Sequence, residues 1–111
     1  MIKVRVQPHP YRGYKYMEIS GHAQYAEYGK DIVCAGVSAL TETAVLGLKN
    51  VVGIDPLVYR KEGCLILKLP DNMTLEELEK AAIILETIFL GLKDISKDYP
   101  SNVHTEIIEE V

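Results

Sequence analysis

The segment GHAQYAEYGKDIVCAGVSAL, residues 21–40, contains a cysteine at a position where a thiol can become reactive. Asp31 is a favourable N-cap, so a helix that begins at Ile32 holds Cys34 in its first turn. Backbone N–H groups of a first turn lack intrahelical partners and the helix dipole is positive there, so both features stabilise a thiolate. The position of Cys34 therefore indicates a candidate nucleophile.

A histidine precedes this cysteine by twelve residues. His22 follows Gly21 directly, and a loop that begins at this glycine can bring the imidazole back over the start of the helix. A cysteine and a histidine within hydrogen-bond reach form an activated nucleophile pair. Residue types alone leave simpler roles open, because free cysteines commonly pack as small hydrophobes and a histidine after a strand is commonly a surface or capping residue.

Other chemistries of these residue types remain as alternatives. His9, His22, Cys34 and His104 contain no close pair of the kind that structural zinc sites use, so we expect neither a metal nor an organic cofactor. The second cysteine, Cys64, lies in the apolar run CLILKL and is predicted to be a core residue. A thiol redox sensor stays open as a third function, since Cys64 could approach Cys34 in space.

Length and composition limit the class of protein. The chain has 111 residues, 48% hydrophobic and 25% charged, which predicts a single domain over residues 1–111. A formal net charge of −4 gives no basic surplus for direct binding of nucleic acid. Two cysteines make no disulfide framework, the N-terminus lacks a signal-peptide core, and no apolar run reaches the roughly 18 residues of a membrane span. We therefore expect a cytoplasmic protein without a membrane partner.

Hydrophobic periodicity predicts the elements that position the candidate pair. Alternating apolar residues indicate a strand in IKVRVQ, and β-prone residues indicate a second strand in YKYMEIS that pairs back on the first. After the loop GHAQYAEYG, a helix is predicted from Ile32 to about Val52, with Gly53 near its end. The segments PLVYR and CLILKL, separated by KEG, predict a hairpin closed at Gly63.

The last third of the chain predicts a second long helix and a final strand. Thr74 with Glu77 forms a capping box at the helix start, and Pro100 stops the helix. The tail NVHTEIIEEV, residues 102–111, predicts the strand. The order ββαββαβ indicates an α+β two-layer sandwich, a mostly antiparallel sheet with two long helices. The apolar residues that recur along the second helix are Leu75, Leu78, Ala82, Leu85, Phe89 and Leu92.

The segment around Cys34 resembles the signature of the ribosomal-processing cysteine protease family, called Prp. That signature combines Gly-His-Ala with a downstream Gly-x-Asp-Ile-Val-Cys-Ala and a serine four residues after the cysteine. The length, the opening strand and the two long helices suit the family over the whole chain. The matching residues are Gly21, His22, Ala23, Gly29, Asp31, Ile32, Val33, Cys34, Ala35 and Ser38.

The resemblance implies a function and residue roles. Members of the family remove an N-terminal extension from the precursor of large-subunit ribosomal protein twenty-seven, and their structures are typically homodimers. Carried over by position, Cys34 is the nucleophile and His22 the base, as the local chemistry also suggests. Asp31 either orients His22 or serves as the helix cap alone. Ser38 either hydrogen-bonds near the site or, as we favour, bonds back within the helix.

The loop between the pair has two interpretations. Tyr25 and Tyr28, bounded by Gly21 and Gly29, form either a mobile lid that contacts the substrate or a surface loop with scattered aromatic residues. Backbone N–H groups at the helix start are candidate oxyanion donors. Nearby acidic side chains would suit a basic ribosomal-protein tail, and the alternative function is a non-catalytic ribosome-assembly module that binds a peptide. The acidic residues are Glu18, Glu27 and Glu42.

Overall fold

A five-stranded sheet forms one layer of the protein in the computed structural model, which describes residues 1–109. The predicted last strand extends to residues 110 and 111, which lie outside the described range. The sheet order is β3-β4-β2-β1-β5, with antiparallel pairing except between β1 and β5, which are parallel. The strands are β1 (Ile2–Pro8), β2 (Tyr14–Ser20), β3 (Leu57–Lys61), β4 (Cys64–Lys68) and β5 (Val103–Ile107).

Two helices cover one face of this sheet and form the second layer. Helix α1 (Ile32–Gly47) continues as a short π-helix (Leu48–Val52) that ends at Gly53 in the left-handed conformation, and α2 spans Leu75–Asp98. The order ββαββαβ and the α+β sandwich with a mostly antiparallel sheet are confirmed. The capping box of α2, Thr74 with Glu77, is also present.

The core lies between the sheet and the helices. Alternation along β1 buries Ile2, Val4 and Val6, and the buried face of β2, ambiguous from its sequence, carries Met17 and Ile19. Along α2 the predicted apolar stripe is buried from Ala82 to Leu92, whereas Leu78 is half-buried and Leu75, predicted on the same stripe, is 62% exposed. Leu75 is the first helical residue, directly after the N-cap Thr74.

The continuous helix Ile32–Val52 bears on the expectation that no segment is long and apolar enough to span a membrane. Its 21 residues and mean hydropathy of 1.4 would by length and composition suit a membrane span. Core helices pass the same test, and α1 buries Val33, Val37, Thr41, Ala44 and Val45 against the rest of the protein. The polar residues within the helix do not lower its mean hydropathy enough to exclude a span.

Candidate active site

Cys34 lies in the first turn of α1, as predicted. Asp31 has the extended conformation of an N-cap, and its Oδ1 accepts hydrogen bonds of 3.0 Å from the N–H groups of Val33 and Cys34. The Cys34 side chain is half-buried against the core, and its Sγ accepts a hydrogen bond of 3.4 Å from the N–H of Ala23. The sulfur is thus held between the helix start and the loop that follows β2.

The Asp31 carboxylate joins this loop to the helix. Its Oδ2 accepts from the N–H groups of Tyr25 at 2.9 Å and Ala26 at 3.3 Å, while Oδ1 caps the helix. The hydrogen bond from the Cys34 N–H is the main cause that lowers the pKa of Asp31 below its ordinary value, and the other three backbone donors add to it. Four backbone partners occupy the carboxylate, so the structure places Asp31 as a cap and loop anchor.

His22 lies beside the turn of the β3–β4 hairpin. Its Nε2 is 3.1 Å from the point where a Cβ on Gly63 would stand, and the carbonyl of Gly63 accepts a 2.9 Å hydrogen bond from the N–H of Gly21. Gly21 has φ 92°, and a Cβ there would overlap the Met1 carbonyl oxygen. Both glycines are required by close approach as well as by backbone conformation.

Cys34 and His22 open onto one cleft of about 900 Å³, a size typical of ligand sites. Within residues 1–109 no direct hydrogen bond joins the two side chains, although both contribute to the lining. Catalytic hydrogen bonds commonly tighten only when substrate is bound. The cleft has an apolar lining from Ile2, Ile19, Val37 and Leu65 and a polar rim that includes Lys30, Ser38, Lys61 and Glu62.

The two tyrosines of the loop have different surroundings. Tyr25 packs edge-on against Tyr99, with ring centroids 5.3 Å apart, and does not line the cleft. Tyr28 does line the cleft and is 93% exposed, next to Gly29 with φ 87°. A lid in which both rings contact the substrate therefore fits Tyr28 but not Tyr25 in this conformation, because Tyr25 is held against the end of α2.

Neither Ser38 nor the acidic residues make the contacts that the sequence suggests. Ser38 is exposed on the cleft rim, and within the described part of the chain its hydroxyl makes no bond back to the helix. Each acidic residue considered for a basic substrate tail already has a cationic partner. The pairs are Glu18 with Arg5 at 3.8 Å, Glu27 with Lys30 at 3.1 Å and Glu42 with Arg60 at 2.6 Å.

Cys64 does not fill the core, contrary to the prediction. It pairs with Ser20 across the strands, while its neighbour Leu65 pairs with Ile19 of the buried face. Because successive side chains of a strand alternate between faces, Cys64 belongs to the face away from the helices. On that same face, burial of the phenol and its hydrogen bond to Glu18 raise the pKa of Tyr16 to about 12. The thiol is half-buried and free.

Several residues shape the site in ways that their positions in the sequence do not show. Gly63 was predicted as a turn residue, yet it also leaves the space that the His22 ring occupies. Asn102 donates a 2.8 Å hydrogen bond from Nδ2 to the Ala23 carbonyl, across 79 residues of sequence. Arg60 lines the cleft and forms two hydrogen bonds with Glu42. The hairpin turn could have suggested Gly63, whereas contacts between distant segments have no local signal.

Two helices cover one face of the sheet, and a cysteine and a histidine share one cleft. These features define a small α+β protein with a candidate thiol nucleophile. The family model described as cysteine protease Prp matches residues 1–104. The chain therefore belongs to the Prp family of cysteine proteases, as its signature predicted.

Curated relatives and solved structures agree with this assignment. The chain is 34% identical over 112 residues to the ribosomal processing cysteine protease Prp of Bacillus subtilis, covering 97% of this chain and 100% of that protein. It is 30% identical over 87 residues to the Staphylococcus aureus protein of the same name, covering 77% and 78%.

The structural likeness extends over nearly the whole chain. The S. aureus ribosomal processing protease Prp in complex with a covalently linked product peptide has a TM-score of 0.87 and 26% identity, with 97% of this chain and 100% of that chain covered. A Streptococcus mutans protein has a TM-score of 0.85 and 27% identity, with 99% and 96% covered. The same S. aureus protease was also solved with a substrate peptide, at a TM-score of 0.80, 26% identity, and 97% and 100% coverage.

Proposed function

We propose that this chain is a cytoplasmic cysteine endopeptidase that removes the N-terminal extension of the precursor of ribosomal protein twenty-seven, with residues 1–111 as a single protease domain. The observation that carries the site assignment is the position of Cys34, capped by Asp31 and open to the same cleft as His22. The relatives named as ribosomal processing proteases support the class of substrate.

The dyad would act in two stages. His22 takes the thiol proton of Cys34, and the sulfur attacks the scissile carbonyl carbon to form a C–S bond. The imidazolium then gives its proton to the departing amine as the C–N bond breaks, which leaves a thioester. A water molecule attacks the thioester, His22 accepts the proton of that water and returns it to the sulfur, and the new carboxyl end leaves. No metal or organic cofactor enters either stage.

We propose a different oxyanion donor from the N–H groups of the helix start that the sequence suggested. The N–H groups of Val33 and Cys34 already donate to the Asp31 carboxylate, and that of Ala35 donates to the Asp31 carbonyl at 3.0 Å. Ala23 supports the role better, because its N–H lies 3.4 Å from the sulfur at which the tetrahedral carbon would form. Such a donor would stabilise the developing negative charge.

Incubation of the precursor with the protein, followed by mass spectrometry, tests the function. We expect wild type to release the extension, Cys34→Ala to abolish cleavage, and His22→Ala to reduce it by at least about 100-fold, the scale of general acid–base catalysis. His104→Ala is the matched control, since His104 is exposed on β5 and outside the cleft lining. Undiminished cleavage by Cys34→Ala would remove this residue from the nucleophile role.

The alternative function is a peptide-binding module of ribosome assembly. The 900 Å³ cleft with an apolar lining is the observation that favours it, since such a cleft binds a peptide without cleaving it. The alternative requires that the wild-type protein binds the precursor and leaves it intact after prolonged incubation. The redox alternative has one supporting observation, since Cys64 lines the same cleft as Cys34, although its position on β4 puts its side chain on the sheet face away from α1.

We also propose that the protein is a homodimer through its helical layer. Helix α1 has a single charged residue, Glu42, and the outer surface of the helical layer retains large apolar side chains that are 56–72% exposed. At roughly 60 to 120 Å² for each, two copies would cover on the order of 1,000 Å², which a specific dimer needs. The side chains are Ile32, which also lines the cleft, Leu46, Val51, Ile83 and Leu90.

A second copy fits this surface better than a charged partner does. The open face of the sheet carries Arg5 with Glu18 and Glu106, whereas helix α1 offers Glu42 as its single charge, and Arg60 already pairs with it. An apolar surface is complementary to itself in a two-fold arrangement, because each copy presents the same residues. The same surface would otherwise remain exposed to water.

A further inference from the structure

The α2–β5 turn, residues 99–102, contacts the loop that follows β2 although it lies outside the cleft lining. Asn102 belongs to this turn, and its Nδ2 donates a 2.8 Å hydrogen bond to the carbonyl of Ala23. Its backbone is fixed as well: its N–H donates to the Tyr99 carbonyl at 2.9 Å, and its carbonyl accepts from the N–H of Ile2 at 2.8 Å. Asn102 therefore links the end of α2 and the start of β1 to Ala23.

Ala23 is fixed in three directions. Its methyl group is buried, with 1% exposure, its N–H donates to Cys34 Sγ, and its carbonyl is bound by Asn102. The next residue, Gln24, has φ 58°, a conformation that costs free energy for a residue with a Cβ. A strained residue persists when its surroundings hold it in place, and the Asn102 bond acts on the peptide group between Ala23 and Gln24.

We infer that Asn102 is a positioning residue of the cysteine protease reaction. By holding the Ala23 carbonyl it fixes the N–H that contacts the Cys34 sulfur, and it fixes the main chain to which His22 is attached. Asn102 itself touches neither the cleft nor the sulfur. The inference rests on the proposed function, because it takes Cys34 as the nucleophile and His22 as its base.

The test compares Asn102→Ala with Asn50→Ala. Asn50 also donates from Nδ2 to a backbone carbonyl, that of Leu46 at 3.1 Å, but on the π-helix away from the cleft. For Asn102→Ala alone we expect kcat on the precursor peptide to fall about ten-fold, with KM changed less than about two-fold, because positioning is lost and binding is kept. Urea unfolding of both variants separates this effect from lost stability.

A second measurement needs no substrate. Iodoacetamide alkylation across pH, resolved by peptide mass spectrometry, follows Cys34 and Cys64 in one sample. We expect the Cys34 profile of Asn102→Ala to move to higher pH, because a hydrogen bond to the ionised sulfur is weakened, while the Cys64 profile stays in place. A merely structural role of Asn102 would lower stability and leave the Cys34 profile unchanged.

The outcomes separate this inference from the proposed function. Wild-type kcat and an unmoved Cys34 profile in Asn102→Ala would overturn the role of Asn102, whereas cleavage by Cys34→Ala in the same assay would overturn the proposed function instead. If Asn102→Ala does not fold, Asn102→Asp carries the comparison, because a carboxylate of nearly the same size cannot donate to the Ala23 carbonyl at neutral pH.

Discussion

Asp31 determines how the loop and the helix meet at the sulfur. One carboxylate oxygen caps α1 and the other accepts from the N–H groups of Tyr25 and Ala26. Backbone donors stabilise the ionised form, so the pKa of this carboxyl lies below its ordinary value of 3.8. A lowered pKa in the folded state contributes stability that is fully present above the ordinary value and is lost as pH falls through the folded value.

Replacement of Asp31 by asparagine tests this contribution. The asparagine side chain would still cap the helix but would lack the charge, so we expect Asp31→Asn to unfold at lower urea concentration at neutral pH. The difference in free energy of unfolding from wild type should be constant above about pH 5 and shrink below about pH 4, since Asp31 of the unfolded wild-type chain then takes up a proton that the folded protein binds only at lower pH. The lowered pKa values of Glu42 and Glu79 are common to both proteins and cancel in the difference. A difference that does not change with pH would contradict the charge effect.

Gly63 gives a second prediction at the residue scale. Gly63→Ala and Gly53→Ala should each cost about 1 to 2 kcal/mol of stability, because both glycines have positive φ, 73° and 83°. A Cβ at Gly63 would also lie 3.1 Å from Nε2 of His22, whereas nothing lies within 4 Å of one at Gly53. We therefore expect only Gly63→Ala to lower kcat, by displacing the imidazole.

Urea unfolding and precursor cleavage measured on both glycine variants check this prediction. Equal loss of stability with equal retention of kcat would show that the His22 ring adapts to the methyl group.

The residues of the site were predictable to different degrees. The position of Cys34 followed from Asp31 three residues earlier, because helix capping is a local interaction. The face on which Cys64 lies depends on the pairing of β4 with β2, and the partner of Tyr25 is Tyr99, at the far end of the chain. Such contacts form only after distant segments pack together, so no local pattern indicates them.

At the scale of elements, the loop from Ala23 to Lys30 consists of two unlike halves. Ala23, Tyr25 and Ala26 donate backbone hydrogen bonds to Cys34 Sγ or to Asp31, and the carbonyl of Ala23 is bound by Asn102. From Glu27 onward the side chains are exposed, and Gly29 has no neighbour within 4 Å of a possible Cβ. The bounding glycines suggest that the whole loop gates the cleft. These contacts favour gating by the second half alone, because hydrogen bonds hold the first half in place.

Hydrogen exchange on inactive Cys34→Ser, with and without the precursor peptide, tests this assignment. We expect the amides of Ala23, Tyr25 and Ala26 to be protected in both samples, and those of Tyr28 and Gly29 to gain protection with peptide, because ordering of the exposed half would accompany binding. Strong and equal protection throughout residues 27–30 in both samples would mean that no part of the loop gates the cleft.

The elements themselves were predictable where periodicity was strong. Both helices and the β3–β4 hairpin have local signals in caps, glycines and alternation, and they form close to the expected bounds. The parallel pairing of β1 with β5 joins Ile2 to Val103, and the sequence order gives no indication of it. The end of α1 becomes a π-helix over Leu48–Val52, where the N–H of Gly53 bonds to the carbonyl of Leu48, a change that residue types do not reveal.

At the scale of the whole molecule, the helical layer has an apolar outer surface that the monomer does not cover. The unusual hydropathy of Ile32–Val52 arises from this surface together with the buried stripe, since about a third of its most apolar window is buried. A membrane partner and a second copy of the chain are two explanations of such a helix. Aqueous solution without lipid distinguishes them, because only a second copy of the chain is then present to cover the surface.

Light scattering on Leu46→Lys and Leu57→Lys distinguishes the helical layer from the sheet as the dimer surface. Leu46 is 58% exposed on α1, and Leu57 is 67% exposed on the edge strand β3, so each substitution places one charge at an exposed apolar position. Both should change stability by no more than about 0.5 kcal/mol, as surface substitutions generally do. A lysine buried at a two-fold interface would face its own copy, so we expect Leu46→Lys to have monomer mass at micromolar concentration and Leu57→Lys to keep dimer mass. A wild-type protein with monomer mass at physiological salt would exclude the dimer, and loss of the dimer in Leu57→Lys alone would place the interface on the sheet.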